Sequence, residues 1–371
     1  MTQHFDVLTQ LTERVRAARA SGVALCVRGG GTKDFYGHAP TGDVLDMTAY
    51  AGVVSYEPSE LVVTARAGTS LAELEALLAT QGQCQPFEPP HYGPGATVGG
   101  MVASGLNGPA RSSTGAVRDF VLGAQLLNGK GEVLTFGGQV MKNVAGYDVS
   151  RLMAGSLGTL AVILEVSLKV LPVPPAECTL VFSMDEAAAL QQLNRWGGLP
   201  LPINASCWQR VDGGEGGDVG QLWVRLRGAV AAVVAAQKTM GGRLLAAEEA
   251  ALLWHGLREQ TAPFFTLQSG QSLWRASVAD TAAPLGLGDT LVEWGGAQRW
   301  LKRPAGDAAV VRAAAAQAGG HATLFRTGTP VGDAVPVFTP LSAPLARIAH
   351  KLKAEFDPAG ILNPGRMLAL V

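Results

Sequence analysis

The sequence predicts an α+β protein in which a glycine-rich domain of strands and loops precedes a second α+β domain built on an antiparallel sheet. Three observations predict this. Glycine-rich loops punctuate residues 1–172, each beside a strand-like or helix-like run. Pro172-Val173-Pro174-Pro175 then breaks the pattern and reads as a domain boundary. Beyond it, alanine-rich helical patterns interleave with short strand patterns. The expected division is 1–172, 173–341 and a C-terminal segment, 342–371.

The elements follow in order. Phe5, Leu8, Leu11 and Val15 space an amphipathic helix with no apolar core of a secretory leader. Val23–Val27 is a buried strand. It runs into Arg28-Gly29-Gly30-Gly31-Thr32-Lys33, where bare backbone can turn several amides toward one anion. A mobile surface turn is the bland reading of a lone triple glycine. Two further glycine loops in the same half, Gly93–Gly100 and Met153–Val162, favour the phosphate reading. Leu61–Arg66 is a strand, and Ser70 with Glu73 opens a helix that Gly82 closes. Phe120–Leu127 and Glu132–Phe136 flank Asn128-Gly129-Lys130-Gly131 as a hairpin. Leu160–Leu171 is the last strand before the prolines.

In the middle, helices are expected at Asp185–Trp196, Ala229–Met240, Ala246–Glu259 and Ala308–Ala318. Strands are expected at Gln221–Leu226, Leu273–Val278, Thr290–Trp294 and Ala322–Phe325. All seven tryptophans lie here, mostly as core with a minority for a ligand or partner. The tail carries a helix with Arg347, His350, Lys351 and Lys353, then Phe356-Asp357-Pro358.

Composition narrows the function. The charged fraction is 16%, below the usual ~25%, which suits a well-buried enzyme or a subunit that hides surface. A net charge of −1 gives no reason to expect nucleic acid or an anionic lipid surface as partner. Cys26, Cys84, Cys178 and Cys207 form no CxxC pair, so neither an iron–sulfur cluster nor a metal site is expected in this chain, and the compartment reads as reducing cytoplasm. No apolar run is long enough for a membrane span. GxGxxG, GxxxxGK[ST], HExxH and GxSxG are all missing, which leaves a multi-loop site for a phosphorylated cofactor.

Four segments carry a resemblance: RGGGTKDFYG, GATVGGMVASG, RSSTGAVRDFVLG and GYDVSRLMAGSLGTLAVI. Together they resemble the vanillyl-alcohol-oxidase-type (PCMH) FAD-binding domain. FDPAGILNPGRM resembles the ending of its lactate/glycolate dehydrogenase branch. EPPHYGPGATVGG, GLNGPARSSTGAVRDFVLG and MKNVAGYDVSRLMAGSLG are similar to the family of FAD-binding E subunits of bacterial glycolate oxidase.

The resemblance implies a two-part FAD domain with an α+β cap inserted, and a tail that returns to the FAD domain. It places the FAD pyrophosphate on Arg28, Gly29, Gly30, Gly31, Thr32 and Lys33. Pro94, Gly95, Ala96, Thr97, Gly99 and Gly100 would follow the flavin and ribityl. Gly105, Arg111, Gly115 and Arg118 would continue the cradle, Gly158 and Val162 would reach the adenine, and Asn363 and Arg366 the isoalloxazine. An Arg118–Asp119 ion pair and strand-loop packing of Lys142, Tyr147 and Asp148 are the structural alternatives. His91, Arg275 and Arg326 are substrate candidates, with Trp274 beside them.

Thr32 stands where covalent members often place His, so the FAD is expected to be non-covalent. Catalytic relatives carry a late HxGDGNxH-like cluster; here Val331-Gly332-Asp333-Ala334-Val335 has no flanking His, and His321 and His350 are isolated. The residues that catalyse are therefore unassigned. The expected function is a subunit that oxidises glycolate, a small 2-hydroxy acid, to glyoxylate. Its expected partners are a homologous FAD-containing catalytic subunit and an iron–sulfur subunit that takes the electrons. Such a chain is cytoplasmic, and peripheral at the inner membrane only through partners. A stand-alone oxidoreductase and a non-catalytic FAD-retaining subunit stay open beside it.

Overall fold

The computed structural model describes residues 2–138, 148–211, 220–328 and 335–367, with side chains from Asp6 onward. Phe5's side chain, Lys142, Tyr147 and Val331–Ala334 lie outside the described residues. The chain forms two units. One comprises Met1–Leu106, Ala116–Pro172 and Pro340–Val371, and the other Asn107–Gly115 and Val173–Thr339.

In the first unit, α1 (Thr2–Ser21) buries Leu11 and Val15. β1 (Leu25–Arg28) pairs in parallel with β2 (Asp43–Asp46). β3 (Val53–Glu57) and β4 (Val62–Arg66) follow. α2 (Leu71–Ala79) is capped by Ser70, whose hydroxyl accepts the Glu73 amide at 3.4 Å, and it buries Leu71, Leu74 and Leu78. β5 (Gln83–Cys84) and α3 (Val98–Ser104) come next. The four-residue α4 (Arg111–Thr114) belongs to the second unit, and α5 (Val117–Phe120) to the first. In the hairpin of β6 (Val121–Leu127) and β7 (Val133–Gly137), Asn128 Oδ1 accepts the amides of Lys130 and Glu132. α6 (Val149–Leu152), β8 (Val162–Lys169) and β9 (Leu171–Pro172) end the stretch.

The five-stranded sheet has the order β3-β4-β8-β6-β7 and is antiparallel throughout. β8 lies at its centre and is almost continuously buried, so it reads as an apolar run rather than an alternation. Asp148 caps α6, accepting the Arg151 amide at 3.2 Å.

The second unit contains β10 (Ala176–Met184), α7 (Glu186–Gly197), β11 (Ile203–Arg210) and β12 (Gly220–Gly228). Then come α8 (Val230–Met240), β13 (Arg243–Leu244), α9 (Ala247–Arg258) and β14 (Ser272–Ser277). β15 (Thr290–Glu293), β16 (Gln298–Arg303), α10 (Ala308–Gln317) and β17 (His321–Thr327) complete it. Its eight-stranded antiparallel sheet has the order β13-β10-β12-β11-β15-β16-β14-β17.

Register gives this sheet two different faces. Leu180, Leu222, Trp208, Val292, Leu301 and Trp274 form an apolar face packed by α7, α8 and α10. The opposite face carries buried polar groups among aromatic rings. There Glu293 accepts from Trp300 Nε1 at 2.6 Å and Gln298 Nε2 at 3.0 Å, and Arg225 donates to Asn204 at 2.8 Å. The tryptophans are core: six are under 9% exposed and Trp223 is half-buried.

Residues 107–115 fall in the second unit rather than within 1–172. Ser113 donates to the Asn204 carbonyl at 2.7 Å, and Arg111 stacks over Trp294. The chain re-enters the first unit through α11 (Ala343–Phe356), and Leu362 bridges in parallel to Leu25 on β1.

Candidate functional site

A cleft opens in the first unit around the turn after β1. Residues 28–34 and Cys26 form one wall. Thr97, Gly99, Gly100, Ala103 and Ser104 form a second, and Gly158, Ala161 and Ile163 a third, with Asn363 and Arg366 closing the floor.

The triple glycine permits this geometry for two separate reasons. Gly31 adopts φ +72°, a left-handed conformation that turns the chain sharply. Gly30 has no room for a Cβ, because one would overlap the carbonyl oxygen of Gly95. The loop after β1 and the loop before α3 therefore touch backbone to backbone. Among the described residues, the amides of Gly30, Gly31 and Thr32 donate to no protein acceptor.

Charge is arranged around them. Arg28 is held by Asp34 through two contacts of 2.6 and 2.7 Å, a pairing that raises its already high pKa further. Lys33 Nζ donates to the His91 carbonyl at 3.1 Å and lies 5.6 Å from the Tyr92 ring centre. His91 directs its Nε2 to Glu75 at 3.0 Å.

The tail braces the cradle from behind. Asn363, at φ +41° and 4% exposed, accepts the Val27 amide at 2.7 Å and donates to the Leu157 carbonyl at 2.7 Å. Arg366 donates to the carbonyls of His38, Lys33 and Asp34 at 2.8–3.3 Å. Burial lowers the pKa of Arg366. Both residues line the cleft, yet their polar atoms are committed to loop backbone. Cys26 also lines it, its thiol pushed up by burial and then by Asp34, with Arg366 and Arg28 opposing.

The structure gathers Arg28, Gly29, Gly30, Gly31, Thr32, Lys33, Thr97, Gly99, Gly100, Gly158, Asn363 and Arg366 in one cleft. Other expected residues stand off it. Pro94 and Gly95 are exposed, and Ala96 is buried with its carbonyl accepting the Leu71 amide. Gly105 ends α3 at φ +63°, against the backbone of Gly155. Arg111 and Gly115 belong to the second unit. Arg118 is exposed, and Asp119 caps α5 at the Ala116 amide instead of pairing with it. Val162 is fully buried in the core, whereas its strand neighbours Ala161 and Ile163 line the cleft. Strand alternation explains the one-residue offset.

In the second unit Arg275 lies over Phe325, and Arg326 donates to Gln260 at 2.8 Å. Trp274 is fully buried in the core. Cys26, Met47, Ser104 and Ile163 line the cleft without having been singled out; only the period of β8 offered a sequence signal, and only for Ile163.

These features fit FAD. Three undirected amides, a left-handed glycine and two flanking cations make an anion cradle of the kind that receives a pyrophosphate. The apolar third wall suits a flat aromatic ring system. No grouping of His, Cys, Asp and Glu among the described residues could hold a metal ion.

Residues 8–137 match the family described as FAD binding domain. The chain resembles in fold a solved alkyldihydroxyacetonephosphate synthase, with TM-score 0.66 and 16% identity over 95% of this chain and 74% of that one. A mitochondrial D-lactate dehydrogenase [cytochrome] of Arabidopsis thaliana is 34% identical over 39% of this chain and 26% of its own length. Glycolate oxidase subunit GlcD of Bacillus subtilis (strain 168) is 29% identical over 46% of this chain and 36% of its own. Glycolate oxidase subunit GlcE of Escherichia coli (strain K12) is 46% identical over 100% of this chain and 99% of that protein. With the likeness running through the cradle, the second unit and the tail alike, the chain belongs to the family of glycolate oxidase subunit GlcE.

Proposed function

We propose that this chain is the FAD-carrying E subunit of a glycolate oxidase that converts glycolate to glyoxylate. The observation that carries the reading is the anion cradle at Gly30–Thr32, in a chain related along its whole length to a glycolate oxidase subunit. When bound, FAD supplies the acceptor for the hydride that leaves Cα of the 2-hydroxy acid.

The chain's own residues bind and orient. The amides of Gly30, Gly31 and Thr32 would hold the pyrophosphate, and Lys33 and the Arg28–Asp34 pair set the local charge. Asn363 and Arg366 keep this loop in shape. Thr32 offers no imidazole for a covalent link, so FAD is held non-covalently. No assigned side chain accepts the hydroxyl proton. The substrate candidates His91 and Arg326 are already engaged by Glu75 and Gln260. Efficient oxidation therefore depends on the partners: a homologous FAD-containing subunit that supplies the base, and an iron–sulfur subunit that takes the electrons. No helix among the described residues is long and apolar enough to cross a membrane. The complex would sit in the cytoplasm, reaching the inner membrane through partners.

Anaerobic flavin reduction by glycolate tests this. The isolated FAD-loaded chain should be reduced very slowly, since loss of a general base costs about 10²–10⁴ in rate. Addition of the two partners should restore turnover. Fast saturable reduction of the isolated chain would instead establish a stand-alone oxidoreductase, and an assembly that turns over equally well when this chain's own FAD site is emptied would establish a non-catalytic FAD subunit. Acid precipitation that carries flavin down with the protein would refute non-covalent binding.

A further inference from the structure

α11 is a 14-residue helix none of whose side chains is buried. Among the described residues, its side-chain hydrogen bonds and ring contacts lie at its C-terminal end. Lys353 Nζ donates to Thr159 O, Asp357 Oδ2 and Leu362 O at 2.6–2.8 Å, and Phe356 meets Phe136 edge to face. Its first turns stand free in the described structure. Leu345 is 54% and Ile348 55% exposed, and Leu341 just before the helix is 41% exposed. Helical spacing puts Leu345, Ile348 and Leu352 on one stripe. Beside the stripe runs a mostly apolar groove whose lining includes Leu152, Leu160, Ala349, Leu352, Pro364 and Met367, with His350 and Lys353 also on it. Arg347 and Lys351, both exposed, border the stripe on its solvent side.

We propose that this ridge and groove dock an amphipathic helix of another subunit of the assembly, its apolar side chains in the groove and its flanking carboxylates on Arg347 and Lys351. The proposal rests on the reading of the chain as a glycolate oxidase subunit. A ridge beside a concave apolar trough is the shape that receives a helix, with anchors three and four residues apart. A bilayer surface is a poor match, because a plane that covered the ridge would leave the trough unfilled. A second copy in two-fold contact is disfavoured by charge, since Arg347 and Lys351 of one copy would face their own equivalents in the other. A chain with acidic flanks meets neither objection. The cost of exposing this stripe is removed only in the assembly.

The test co-expresses the chain with the D subunit and the iron–sulfur subunit from the same organism and purifies through a tag on the D subunit. Leu345→Asp/Ile348→Asp should fall out of the complex, with apparent affinity at least tenfold weaker, while FAD content and melting temperature of the isolated chain stay unchanged. Arg347→Glu/Lys351→Glu should weaken association and remove part of its salt dependence. Val310→Asp, on the equally exposed Val310 of α10 (52%), is the control and should co-purify normally. If the unaltered chain does not co-purify, the subunit reading itself fails. If it does and the Leu345→Asp/Ile348→Asp variant does so equally well, the docking proposal is overturned. It is also overturned if the isolated chain sediments as a dimer that this variant dissolves, or if the chain floats with phosphatidylglycerol vesicles and the variant does not.

Discussion

At Gly30 one methyl group decides whether two loops can touch. The triple glycine reads in the sequence as an anion nest, but the contact that requires the middle glycine was not legible there. Its missing side chain faces the Gly95 carbonyl. That contact joins residues far apart in sequence, so no local pattern encodes it. Gly30→Ala should therefore separate the loops and lower FAD affinity at least tenfold in a flavin-fluorescence titration. Unchanged affinity would mean that the loop contact does not shape the cradle. Cys26 is the converse case. Inside an apolar run it reads as plain core, yet it lines the cleft. Its thiol is raised above the ordinary thiol value by burial first and by Asp34 second. An acid whose folded pKa is raised contributes stability that is complete below the unfolded value and is lost as pH rises through the folded one. Iodoacetamide labelling of Cys26 should accordingly turn on at a higher pH than for a free thiol. Asp34→Asn should bring that midpoint down and added FAD should slow the labelling; a midpoint at or below that of a free thiol would contradict this environment.

At the scale of elements, glycine and proline punctuation located most of the helices and the hairpin. It failed for β10, β11 and β16. β11 carries Asn204 and Ser206 on a strand, a composition that resembles a loop. The tail is the element whose chemistry was least legible. Lys353 and Asp357 look like ordinary surface charges in sequence. In the structure Asp357 is 1% exposed and accepts from Lys353 and from the amides of Ile361 and Leu362. Burial lowers the pKa of Lys353, with Asp357 opposing. Lys353→Met would leave a buried carboxylate without its cation, which costs about 3 kcal/mol. Urea unfolding should show that loss, and FAD affinity should fall with it because the tail braces residues 27–38. Asp357→Asn in the same background should recover part of the stability. A Lys353→Met chain as stable as the parent would show that water replaces the ammonium at no cost.

At the scale of the whole molecule, the low charged fraction has two structural outlets. One is the second unit's sheet, covered by helices on its apolar face and holding buried polar groups on the other. The second is the set of apolar side chains left at the surface, of which the α11 stripe is the most ordered. The core fate of most tryptophans was legible in the sequence, and six of the seven are buried. The transfer of residues 107–115 to the second unit was not legible, because it depends on Arg111 finding Trp294 and Ser113 finding Asn204.

The bond between the Val27 amide and Asn363 spans 336 positions. Protein synthesis proceeds in one direction at about 5–20 residues per second, so the brace follows the loop it holds by roughly 20–70 s. The second unit ends at Thr339, so it is complete shortly before the brace arrives, while the loop after β1 waits unbraced for the whole interval. A ribosome that stalls between Thr339 and Asn363 leaves a product with a complete second unit and an unbraced loop after β1, and only a chain read through to Arg366 carries both braces.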